Sequence, residues 1–162
     1  MPNTSVVRSA ITAGLFIVTG GCAAMRPPAQ TGGPALSEKG IQLAVLRQSC
    51  SQAQEPDQYG WDLVEETVEV QLRNLASEPA TVHRDRFRLL TPDGYALSTR
   101  TWGAADPLQV AAGANSTFEL RFQTHGSLEC GKEMRLDPDA GITLRESPVA
   151  LQPLSFVLQR AL

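Results

Sequence analysis

The sequence predicts an all-β fold, an antiparallel β-sandwich of about seven to eight strands behind a cleaved export signal. Three observations carry this. Ile41, Leu43 and Val45, then Val68, Val70 and Leu72, then Phe118, Leu120 and Phe122 alternate with polar or small residues. That period of two puts one face of each strand in a core and the other in water. Clusters of turn-forming residues separate these runs, and no segment sustains the 3.6-residue period of an amphipathic helix.

The chain opens on one positive side chain, Arg8, followed by an apolar run from Ile11 to Val18 and the small residues Thr19, Gly20 and Gly21 before Cys22. This order of charge, short apolar core and small residues is that of an export signal. The run is about half the ~20 apolar residues that a spanning helix needs. Its end resembles the bacterial lipobox, with Thr19 standing where leucine is usual. The resemblance implies cleavage before Cys22, a diacylglycerol thioether on the Cys22 sulfur and an acyl chain, such as palmitate, on the new amino terminus. Ala23 after the cysteine resembles the outer-membrane sorting signal of Gram-negative bacteria. The expected organisation is therefore a signal peptide at 1–21, a lipidated cysteine and linker at 22–38, and a β-sandwich domain at 39–162.

Residues 23–34 are rich in Pro, Gly and Ala and have no apolar face, so they read as a flexible tether. After the strand at 41–45, the stretch 62–66 has the makings of one helical turn that flows into the strand at 68–72. Asn74 to Pro79 forms a turn. Apolar parity then flips between Val82 and Phe87, which demands a break or bulge near His83, Arg84 and Asp85. Thr91-Pro92-Asp93-Gly94 predicts a hairpin between Phe87–Leu89 and Tyr95–Leu97. A turn at Ala111 to Ser116 precedes the strand through Phe122. Shorter strands follow at Met134–Leu136, Ile142–Leu144 and Phe156–Leu158, with a turn at Asp137 to Gly141.

A resemblance spans about residues 64–124. It rests on Thr67 to Asn74, Pro79 to Val82, Arg86-Phe87-Arg88-Leu89 with Pro92-Asp93-Gly94-Tyr95, Leu108 to Gly113, and Phe118 to Phe122. This layout is similar to immunoglobulin-like (telokin-like) domains of exported bacterial lipoproteins. The resemblance implies an immunoglobulin-like sandwich serving as an accessory envelope module, and it brings no catalytic residue with it.

The chain has 162 residues and a net charge of −3, which loss of Arg8 with the signal would deepen by one. A mildly acidic protein of this kind has no electrostatic footprint for nucleic acid. With Cys22 acylated, Cys50 and Cys130 are left as an even pair in an oxidising compartment. They form either a disulfide, worth roughly 4.5 kcal/mol by chain entropy, or two buried thiols. Neither lies in a CxxC or CxxH spacing, so no metal site is expected of them.

Arg84, Arg86 and Arg88 recur at spacing two, which in a strand makes a row able to grip an anion, or else a solvated face paired with Glu65 and Glu69. His83 and His125 are the two histidines, and the clustered His-x-Met spacing of copper carriers is missing. The Gly-x-Ser-x-Gly, Ser-x-x-Lys, His-Glu-x-x-His and phosphate-loop patterns are missing too. Tyr59, Trp61 and Trp102 sit beside glycines in loops, where aromatics either bind glycans and proteins or cap a core. A Cys50–Cys130 bridge would staple the loops carrying some of them into one edge.

The expected protein is a lipid-anchored module of the bacterial cell envelope, most naturally at the outer membrane. It is expected to be non-enzymatic, to need no cofactor or metal, and to act by binding or structural assembly. Its expected partners are membrane lipid through Cys22 and an envelope protein or glycan. The alternatives are a protease-inhibitor module and a copper carrier using His83 or His125.

Overall fold

The computed structural model describes residues 33–52, 63–100, 107–125 and 131–158. Nearly all of the regular structure is β. The first layer holds β1 (Ala35–Leu36), β2 (Ile41–Gln52), β3 (Leu63–Asn74) and β8 (Asn115–His125), antiparallel in the order β1-β2-β3-β8. The strand begins at Leu63, so the helical turn expected at 62–66 gives way to β3. Val64, Val68 and Val70 on its inward face bury more as a strand than one helical turn could.

The second layer consists of two four-stranded ladders in line. One is β11 (Ser147–Pro148), β10 (Ile142–Leu144), β4 (Ala80–Val82) and β7 (Leu108–Val110). The other is β12 (Leu154–Val157), β9 (Glu133–Asp137), β5 (Arg88–Leu90) and β6 (Ala96–Ser98). Val82 pairs with Ile142 and Arg88 with Asp137, so residues 83–87 oppose the shorter segment 138–141. Those segments are linked by the His83 amide donating to the Gly141 carbonyl at 2.7 Å. The path β4–β5 thus runs beside β9–β10 with one extra residue, and the expected parity break falls there as a 3-10 turn at Arg84–Arg86. Taking β4–β5 and β9–β10 as continuous leaves eight strand paths among the described residues, with the two-residue β1 and β11 added at edges.

Gly141 makes this break possible. A Cβ there would lie 2.6 Å from the Pro138 oxygen and 2.7 Å from the Phe87 ring. The predicted hairpin joins β5 to β6, with Leu89 opposite Leu97 and Gly94 at φ +86°. Ala35 and Leu36 pair with Leu43 and Gln42, and the Ser37 hydroxyl accepts from the Ile41 amide at 2.9 Å. Residues 35–37, on the linker side of the expected boundary, therefore already belong to the folded unit.

The core lies between the layers. Ile41, Leu43 and Val45 point inward; a bulge between Val45 and Arg47 then switches parity so that Gln48 and Cys50 also point inward. Phe118, Leu120 and Phe122 of β8 meet Phe87, Leu89, Leu136 and Phe156 from the second layer. Phe87 and Phe118 stack edge to face at 5.8 Å, a contact that favours one alignment of the two layers. At one edge a bridge from Thr99 to Phe122 joins β6 to β8. At the other, Gln48 Nε2 donates to the Val157 carbonyl at 2.6 Å and ties β2 to β12.

Candidate functional site

The arginines do not form a row. Arg84 and Arg86 lie in the 3-10 turn and Arg88 opens β5. Spacing two shares a face only where the backbone is extended; a 3-10 turn advances about 120° per residue, which sends Arg84 and Arg86 apart. Arg88 Nη1 donates to Ser98 Oγ at 2.7 Å, and Arg86 makes a long 3.5 Å contact with the Ala140 carbonyl. Arg84 Nε is buried without a hydrogen-bond partner among the described residues, while the Arg84 carbonyl accepts from the Thr99 hydroxyl at 3.0 Å. Nor do Glu65 and Glu69 serve these arginines. Glu69 lies 3.6 Å from Arg47, and Glu65 accepts from Gln123.

His83 leads into the same turn on the second layer, whereas His125 ends β8 on the first. Among the described residues no group of three or more His, Cys, Asp or Glu is placed to hold a metal ion. Cys22, Tyr59, Trp61, Trp102 and Cys130 lie outside the described residues. Cys50 is fully buried and disulfide-bonded.

Opposite Cys50 the structure places a group that the sequence reading passed over. Glu66 lies on the inward face of β3, wholly buried, in a cross-strand row Cys50–Glu66–Phe122–Thr99. Among the described residues neither of its carboxylate oxygens has a hydrogen-bond partner, and Gln48 Oε1, diagonal to it on β2, has none either. Burial raises the Glu66 pKa from 4.5 to about 7. The signal was present, since Val64, Glu66, Val68, Val70 and Leu72 share one parity and Glu66 is the interruption. Chemically this is a solitary acceptor cluster in apolar walls that can gain or lose one proton.

At the other end of β3, Asn74 is equally buried and fully engaged. Its Nδ2 donates to the carbonyls of Glu78 at 2.7 Å, Val110 at 3.0 Å and Ala111 at 3.2 Å, and its Oδ1 accepts from the Ala76 amide at 3.0 Å. The asparagine that ends the resemblance motif is thus a staple holding the 74–79 turn to β7 and to the turn before β8. On the surface, Leu36, Leu75 and Tyr95 are large apolar side chains left exposed.

No protein-family profile matches the chain, and no curated protein does. Solved structures share its fold. A candidate lipoprotein from Bacillus subtilis, ycdA, superposes with a TM-score of 0.53 at 15% identity over 78% of this chain, which spans only 39% of that protein. A protein of unknown function from Listeria monocytogenes gives 0.55 at 14% identity, covering 83% of this chain and 86% of the other. The yjhA protein of Bacillus subtilis gives 0.51 at 12%, covering 75% and 96%. What the chain shares with these proteins is the sandwich itself.

Proposed function

We propose that this chain is a lipid-anchored lipoprotein of the bacterial envelope whose immunoglobulin-like sandwich binds or assembles and does not catalyse. The observation that carries the reading is the run Thr19-Gly20-Gly21-Cys22 behind a short apolar segment, placed ahead of a Pro/Gly/Ala tether. A β-sandwich fold shared with a candidate lipoprotein is compatible with it. Ala23 assigns the anchor to the outer membrane in this reading, and its partners are membrane lipid and an envelope protein or glycan. Tyr59, Trp61 and Trp102 are the side chains proposed to meet that partner.

The anchor is tested by detergent phase partition of the protein made in a bacterial host. The native chain is expected in the detergent phase and the Cys22→Ser chain in the aqueous phase; native protein in the aqueous phase contradicts the reading. The proposed partner of Cys50 is Cys130. A thiol probe on the unreduced, unfolded protein should label neither, and Cys130→Ser should leave Cys50 reactive.

A further inference from the structure

Glu66 stands between Val64 and Val68 on the inward face of β3, and no part of it reaches solvent. From β2 it faces Gln48 and the disulfide-bonded Cys50; from β8 it faces Leu120, Phe122 and the half-buried Thr124. The buried residues of β9 and β12 across the core are Met134, Leu136, Leu154 and Phe156, with Leu158 just beyond, and all are apolar. Glu65 and Glu69 turn to the opposite face of β3. Burial raises its pKa, and among the described residues no charged side chain is paired with it. Among the buried described residues, Glu66 is the one group that titrates.

A carboxyl in such surroundings is tolerable while protonated; ionised and unpaired, it is costly enough that the structure must hydrate it. At this level the bond from Gln48 Nε2 to the Val157 carbonyl ties β2 to β12, while the Thr99–Phe122 bridge holds β8 to the second layer at the opposite edge. We propose that Glu66 is a proton-operated latch: protonated, it stays sealed between the layers, and on losing its proton it parts the neighbouring ends of β2, β3 and β8 from β12. The device reaches beyond the anchoring role and stands whether or not Cys22 carries lipid.

Amide hydrogen exchange and amide NMR shifts of the full chain test this between pH 5.5 and 8.5. After correction for the intrinsic pH dependence of exchange, protection at Gln48–Ser51, Val64–Val68 and Leu120–Phe122 is expected to fall roughly thirtyfold. Resonances of these amides should move with one common midpoint while those around Asn74 hold still, and Glu66→Gln should abolish both effects. Constant protection in the native chain overturns the latch, as does an equal fall in Glu66→Gln or an equal shift around Asn74. Should Glu66→Gln not fold, the carboxyl carbon of Glu66 in the native chain can be titrated directly. A midpoint near 7 coincident with the amide changes supports the latch; a midpoint in the ordinary carboxylate range overturns it.

Discussion

Asn74 and Glu66 lie on the same inward face of β3, and both are sealed from solvent at 0% exposure. Asn74 has every polar atom satisfied and ties together three segments of chain. Glu66 has neither oxygen satisfied among the described residues. The same strand therefore carries a polar group that holds one end of the sandwich closed and another that strains the opposite end. Burial of polarity is not itself stabilising or destabilising; the partners decide.

Four expected outcomes sharpen or break this contrast. Asn74→Ala should cost the most, about 3–4 kcal/mol by urea unfolding, because it leaves three carbonyls and the Ala76 amide without their partner. A cost under about 1 kcal/mol would remove the staple from the account. Next comes pH. Glu66 binds its proton more tightly folded than unfolded, so stability is greatest below pH 4.5 and falls as pH rises toward 7. From this group alone the loss reaches about 3 kcal/mol, the equivalent of the raised pKa. Glu66→Gln should flatten that slope and stabilise the chain by about 1–2 kcal/mol at pH 8, since a buried amide without partners still costs something. Smallest is Arg47→Ala on the outward face, where the exposed pair with Glu69 is worth at most about 0.5 kcal/mol. A larger effect there would mean that the outward face, and not the buried polar groups, governs β3.

How far the sequence was legible follows the same physics. β3 and β8 were readable because strict alternation has no other low-energy explanation, and the flip between Val82 and Phe87 located the 3-10 turn at Arg84–Arg86. The inward turn of Gln48 and Cys50 was hidden, because the bulge after Val45 is marked by neither Gly nor Pro. The arginine row was misread, since spacing two carries meaning only where the backbone stays extended. β1 was invisible because two residues cannot show a period, and its pairing depends on β2 and the Ser37 turn. Glu66 was legible as a break in an apolar parity, yet a neighbouring Glu65 on the outward face disguised it.

The anchor is the part of the account written most openly in the sequence, and its chemistry can be read directly by mass. Intact mass spectrometry of the polypeptide purified from bacterial membranes should find a chain beginning at Cys22 and carrying diacylglycerol and an amide-linked acyl chain. A chain that still begins at Met1 without acyl mass would contradict the proposed anchoring.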